Sequence, residues 1–259
     1  NILVSGLDDD NGGSDTNILV RFDVPNKRID LVSLPRDTLL HNEYRNNKLN
    51  FAYAKGGTEL LMEQIENLLG VPVDFYVTVN LKGFIALVDQ IDGVDFDIPI
   101  NMDYDDPYQD LHIHFTKGPR HLNGQEAMEV VRFRHNNDGT GYGTEDIGRI
   151  GTQQAFLKAV AKQLLQIGNV KNIPALVDIF YTYVKTDLTT GNLVWLGNEA
   201  LNIGTENIHF ATLPGDGSGY YNKQSVYVLD AQATCDLVNE ALNPYNEALT
   251  LEDMDILVP

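Results

Sequence analysis

Apolar, β-prone runs open the chain at residues 1–6, 17–23 and 28–34. The period then changes. Leu60, Leu61, Ile65, Leu68 and Leu69 recur at helical spacing over 57–69, and Gly70 stands where that helix should stop. Phe75–Val79 reads as a strand and 81–90 as a second helix. Residues 93–117 read as strands with an acidic loop. A helix over 123–130 is expected to lead into a strand at 130–134, and a Gly-rich loop at 139–143 to precede a long helix over 145–167. Further helices are expected at 172–184, 190–203 and 230–242, with strands at 207–213 and 225–229. Leu213-Pro214-Gly215-Asp216-Gly217 reads as a turn. Strands alternating with helices imply an α/β layered fold. No linker or repeat divides the 259 residues, so the expectation is one domain over 1–259.

Composition narrows the classes. An apolar share of 43% excludes a disordered chain, and collagen-like, coiled-coil and low-complexity classes are excluded too. The net charge of −19 argues against nucleic acid as a partner, because phosphate backbones recruit basic surfaces. On bulk charge alone an anionic substrate is also disfavoured. A single cysteine, Cys235, excludes an internal disulfide and a thiolate metal cluster. No apolar run reaches the roughly 18 residues of a membrane span. The chain begins at Asn1 and enters at once on Ile2-Leu3-Val4, which reads as a fragment of a longer protein.

Four constellations carry candidate chemistry. Asp8-Asp9-Asp10-Asn11 and Ser14-Asp15-Thr16 follow the first strand, and clustered carboxylates there suit a hard divalent cation such as Mg²⁺. They fail the EF-hand spacing, with Gly12 and Leu19 where ligands are needed, and a polar turn explains them equally. Arg36 follows Pro35 at the end of a strand, where α/β sheets form their ligand crevice, and Asp37 is placed to orient it. Arg132 and Arg134 alternate on the expected strand Val130–Arg134 and so share a face suited to phosphate. A solvated edge strand is the competing reading. On the long helix, residues 146, 149, 153, 157, 160 and 164 fall on one stripe. Leu157, Val160 and Leu164 must face the core, so Arg149 and Gln153 point inward at the positive end of the helix dipole. An Asp146–Arg149 pair would satisfy Arg149 without a ligand. His112 and His114 alternate on a strand, but no third ligand is identifiable, so ordinary polar positions are favoured over zinc.

Taken in order, Gly6-Leu7-Asp8, Ser14-Asp15-Thr16, Ser33-Leu34-Pro35-Arg36-Asp37-Thr38 and Lys48-Leu49-Asn50-Phe51-Ala52-Tyr53 form a recognisable set. Gly83-Phe84, Leu87-Val88-Asp89, Gly93-Val94, Gly118, His121-Leu122-Asn123-Gly124, Val131-Arg132-Phe133-Arg134 and Asp146-Ile147-Gly148-Arg149 with Gln153-Gln154 continue it. The set, within residues 1–165, strongly resembles the LytR–CpsA–Psr family of cell-wall assembly enzymes, and 166–259 resembles the C-terminal part of the same fold.

That resemblance implies a three-layer α/β/α-type sandwich with a central mixed β-sheet, flanking helices and an apolar lipid-binding cavity. It implies an N-terminal membrane anchor outside this chain and a place on the outer face of the bacterial cytoplasmic membrane. The implied reaction transfers a glycopolymer (teichoic acid, capsule or similar) from a polyprenyl-pyrophosphate carrier to peptidoglycan, with Mg²⁺ on the pyrophosphate. By position, Asp8 and Asp15 would serve the metal, with Asp15 also a base for the attacking hydroxyl. Arg36, Arg132, Arg134 and Arg149 would clamp the pyrophosphate, assisted by Lys48 and Gln153, with Asp15, Arg36 and Arg149 the catalytic set. Asp10, Gly13 and Thr152 stand where the family commonly has arginine. A polyprenyl-pyrophosphate hydrolase and a non-catalytic binder of lipid or wall polymer are the alternatives.

Overall fold

A computed structural model describes residues 1–7, 12–142, 145–164 and 180–258, with the side chains of 145–147 excepted. The described chain forms two compact units. The first comprises Asn1–Asn80 with Val184–Pro259, and the second Leu81–Tyr183.

The first unit is built on a six-stranded mixed sheet. Its strands are β1 (Ile2–Leu7), β2 (Ser14–Asp23), β3 (Arg28–Leu34), β4 (Phe75–Asn80), β9 (Val184–Thr186) and β10 (Ile208–Thr212), in spatial order β10-β3-β2-β1-β4-β9. β1 runs parallel to β4 and β3 parallel to β10, while the other pairings are antiparallel. Register puts Leu3 opposite Leu19 and Leu19 opposite Val32. All three are fully buried, on one face of the sheet, in a cluster with Leu61, Ile65, Leu68 and Leu69 of helix α1 (Leu49–Leu69). Burying each such side chain contributes about 1.5–3 kcal/mol. The same cluster takes in Cys235 and Val238 of the last long helix, Ala231–Ala241, so Cys235 is a core residue. Helix Thr190–Ile203 packs against β3. The flanked mixed sheet is the α/β architecture expected of the sequence.

Gly70 ends α1 as expected. Its φ is 66° and its N–H donates to Glu66 O at 2.8 Å. A β-carbon there would meet the Asp253 carbonyl at 2.4 Å, so both backbone conformation and space demand glycine. The helix begins at Leu49, earlier than the periodicity suggested, and bends at Gly56–Gly57. That break explains why only the second half, over 57–69, shows a continuous apolar stripe.

The second unit contains α2 (Leu81–Gln90), β5 (Val94–Ile98), β6 (Met102–Asp106), β7 (Leu111–Phe115), β8 (Gly118–Leu122), α3 (Gly124–Arg132) and α4 (Glu145–Leu164). β5 pairs with β8 and β6 with β7, both antiparallel. Phe156 and Phe133 are fully buried in its core with Ile113, Leu122, Ala127 and Val130.

Three expectations change. Residues 130–134 are not a strand, because α3 runs to Arg132 and Phe133 N–H still bonds the Glu129 carbonyl. Asn123 and Glu126 cap α3 reciprocally, and burial of Ala127 and Val130 at helical spacing overrides the β-preference of Val130-Val131. Arg132 and Arg134 therefore do not share a strand face. Val184–Thr186 is strand β9 instead of a helix end, and of the helix expected over 172–184 the part at 172–179 lies outside the described residues. Gly215–Tyr221 is a strand, β11, paired with β12 (Gln224–Leu229), where a turn was expected. The Gly-rich composition that suggested a turn is accommodated by a bulge between Asp216 and Gly219.

Candidate functional site

In the first unit the site residues gather where β2 begins and β3 ends. Asn17 lies opposite Leu34, so continuing that register puts position 15 opposite position 36. Asp15 Oδ1 accepts from Arg36 Nη1 at 2.7 Å. Arg36 Nε lies 3.7 Å from Asp37 Oδ2, and Asp37 Oδ1 lies 2.9 Å from Lys48 Nζ. Asp15, Arg36, Asp37 and Lys48 thus form a chain of alternating charge, each side chain about one-fifth to one-third exposed.

The loop that carries Arg36 is held on both sides. Asn50 N–H donates to Arg36 O at 2.9 Å, Leu49 N–H to Thr38 O at 3.0 Å, and Leu40 N–H to Asn47 O at 2.7 Å. On the other side Tyr227 N–H donates to Asp37 O at 2.8 Å and Leu39 N–H to Tyr227 O at 2.9 Å. The buried Thr38 hydroxyl donates to the Pro35 carbonyl at 2.6 Å. Pro35 supplies no N–H, so the ladder stops there and the guanidinium emerges beyond the strand. The carboxylates of Asp15 and Asp37 offer hard oxygen donors, the set preferred by an ion that keeps waters and phosphate oxygens as its other ligands. Mg²⁺ fits that chemistry at Asp15. Asp8 and Asp10 lie outside the described residues.

In the second unit, α4 presents Arg149, Thr152, Phe156 and Val160 inward, with Arg149 only 4% exposed. Leu157 is half-buried, so the inward stripe is centred on Phe156, one residue earlier than expected. Inward placement of Arg149 holds, while the Asp146 side chain lies outside the described residues. Gln153 Nε2 donates to the Val131 carbonyl at 3.0 Å, which ties α4 to the end of α3. Arg132 Nη2 donates to Gln109 Oε1 at 2.6 Å, and Arg134 is exposed.

Gly148 is required where α4 starts. A β-carbon there would lie 2.4 Å from Tyr142 Cβ. Tyr142 in turn stacks edge-on against the buried Phe133 at 5.6 Å, and its hydroxyl lies 2.8 Å from Thr152 Oγ1. Burial pushes the Tyr142 phenol above its ordinary pKa, so it stays protonated. Sequence reasoning missed this buried support at Thr152, and it missed the Asp37–Lys48 pair, whose partners lie eleven residues apart with no shared period. The third partner of His112 and His114 was also missed. Asp105 lies directly opposite His112 in the β6–β7 ladder.

The LytR_cpsA_psr family model matches residues 1–243. The chain is 32% identical over 246 residues to the polyisoprenyl-teichoic acid–peptidoglycan teichoic acid transferase TagV of Bacillus subtilis, covering 90% of this chain and 61% of that protein. It is also 32% identical over 244 residues to TagU of Bacillus cereus, named for the same transfer, covering 92% of this chain and 76% of that protein. The crystal structure of B. subtilis TagV superposes with a TM-score of 0.78 at 27% identity, covering 99% of this chain and 97% of that one. Among the described residues no helix is long and apolar enough to cross a membrane. Motif order, fold and family match agree, and the chain belongs to the LytR–CpsA–Psr family.

Proposed function

We propose that this chain catalyses Mg²⁺-dependent transfer of a glycopolymer from a polyprenyl-pyrophosphate carrier to peptidoglycan, on the outer face of a bacterial cytoplasmic membrane. Two relatives at 32% identity are named as transferases of teichoic acid to peptidoglycan, and this supports the reaction class. The observation that carries the reading is the Asp15–Arg36–Asp37–Lys48 chain, whose Arg36 and Asp37 stand on a loop bonded along both sides.

Phosphoryl transfer asks for positioning and charge neutralisation more than for a protein nucleophile. In this reading Arg36 and Lys48 bind pyrophosphate oxygens, as do Arg132, Arg134 and Arg149, with Gln153 a further head-group contact. Asp8 and Asp15 would hold Mg²⁺, which when bound would supply positive charge against the pyrophosphate. The pairing of Arg36 with Asp15 has a consequence for binding. Charge neutralised at Asp15 would leave the Arg36 guanidinium better able to donate to an anion. A carboxylate at Asp15 can also accept the proton of the attacking sugar hydroxyl, a contribution of about 10²–10⁴-fold. An apolar cavity in the α/β core would hold the prenyl chain, and the acceptor would be peptidoglycan.

The test is incubation of the purified chain with a prenyl-pyrophosphate-linked glycan and Mg²⁺, with and without peptidoglycan. Polymer attached only when peptidoglycan is present supports the proposal. Prenyl phosphate and glycan phosphate released without acceptor assign a hydrolase. Donor binding without either product assigns a binding protein.

A further inference from the structure

We infer that the β6–β7 hairpin carries a binding site for a borderline divalent cation of the Zn²⁺ class, formed by Asp105, His112 and His114. The ladder pairs Asp103 with His114 and Asp105 with His112. Leu111, Ile113 and Phe115 are buried, so strand alternation directs His112 and His114 together onto the exposed face. The backbone sharpens this placement. Asp103 N–H bonds Asn136 Oδ1 at 2.7 Å and Asp105 N–H bonds Asn137 Oδ1 at 2.6 Å, while Asn137 N–H bonds the Asp103 carbonyl at 3.2 Å. The polar backbone of these two aspartates therefore points away from β7. Both cross-strand pairs are of the non-hydrogen-bonded kind, in which facing side chains come closest.

Asp105 Oδ1 sits between the two rings, 2.5 Å from His112 Nδ1 and 3.3 Å from His114 Nε2. The three ligand atoms all lie within 4.8 Å of one another. Metal–ligand bonds of about 2.0–2.2 Å at tetrahedral angles put ligand atoms roughly 3.3 Å apart, which the 3.3 Å between Asp105 Oδ1 and His114 Nε2 matches, while the 2.5 Å pair at His112 would open. The surrounding groups fit as well. His114 Nδ1 lies 2.8 Å from Asp103 Oδ1, and His112 Nε2 lies 3.6 Å from Asp110 Oδ1. Each ring thus turns one nitrogen to the cluster and the other toward a carboxylate, the arrangement that orients and strengthens a histidine ligand. Two imidazoles with one carboxylate select Zn²⁺, Ni²⁺ or Cu²⁺ over Mg²⁺ and Ca²⁺. Three protein ligands leave a fourth position for water. The Asn136 and Asn137 bonds hold β6, so the site is built on a braced hairpin. β5–β8 supplies an internal contrast, because His121 faces Asp95 across that ladder with no second histidine beside it.

Isothermal titration of the full chain with zinc chloride, after chelator treatment, tests the site. One equivalent is expected to bind. His114→Ala and Asp105→Asn should each weaken binding at least tenfold, and His121→Ala should leave it unchanged. Asp103→Asn, which removes a positioning carboxylate, should weaken it about tenfold or more while one equivalent still binds. Zinc-dependent shifts of the His112 and His114 ring resonances should accompany binding. Absence of stoichiometric binding to the wild-type chain, or unchanged affinity in both His114→Ala and Asp105→Asn, would overturn the inference. Circular dichroism of each variant separates lost ligands from lost fold.

Discussion

Two groups of aspartates in this molecule meet different partners. Asp15, at the start of β2, and Asp37, on the loop after β3, pair with Arg36 and Lys48, side-chain types of intrinsically high pKa. Asp95, Asp103 and Asp105, on exposed strands, pair with histidines, whose charge is not permanent. The first arrangement suits a standing electrostatic task such as holding a pyrophosphate. The second suits ligands that compete with protons, a borderline metal among them. The bulk charge of −19 reveals neither, because local arrangement sets the field at a site.

The sharpest way to break the comparison is to alter the permanent-charge side. Asp15→Asn is expected to lower transfer by about 10²–10⁴-fold with little change in melting temperature, since the residue is part-exposed at a strand start. A modest loss measured in the transfer assay would remove Asp15 from the chemistry. Arg36→Ala follows, at about 10²–10³-fold in turnover, the usual cost of one preorganised charge at a reacting centre. Arg149→Ala should weaken donor binding, read by titration with a prenyl pyrophosphate, while the thermal midpoint holds. A collapse of stability would instead mark Arg149, buried as it is, as a structural residue.

Gly148→Ala tests the scaffold beneath that arginine. The added methyl meets the Tyr142 side chain, so thermal or denaturant unfolding should show a loss of about 1–3 kcal/mol. The smallest effect belongs to the titrating side. The bond to Asp95 raises the His121 pKa in the folded chain. Its stabilisation is therefore complete below the unfolded value of about 6.5 and is lost as pH rises through the raised folded value. His121→Ala should lower the melting temperature slightly near pH 5.5 and not at pH 9. A pH-independent difference would mean that the ring acts by packing.

Much of the fold was legible because the signals were local. β3 at Arg28–Leu34, α2 at Leu81–Gln90 and the Gly70 stop follow directly from periodicity and backbone preference. The helix at Thr190–Ile203 was legible in the same way. The misread segments, 130–134 and 215–217, were decided by partners distant in sequence. Val130 is buried among residues of α2 and α4, and Gly215 pairs with Leu229. Of the candidate site, Arg36 was legible from Pro35 ending a strand, and Arg149 from its helical stripe. The Asp15–Arg36 bond depends on sheet register, and the Asp105–His112 pair on a hairpin alignment, neither of which a single sequence displays.

The most direct measurement is ³¹P NMR of peptidoglycan recovered after incubation with the purified chain, Mg²⁺ and a polyprenyl-pyrophosphate-linked glycopolymer. The account predicts a new phosphodiester resonance that is absent without Mg²⁺ and lost with Arg36→Ala. Donor cleaved to prenyl phosphate and polymer phosphate with no new phosphodiester on the peptidoglycan, or a phosphodiester formed equally by Arg36→Ala, would contradict it.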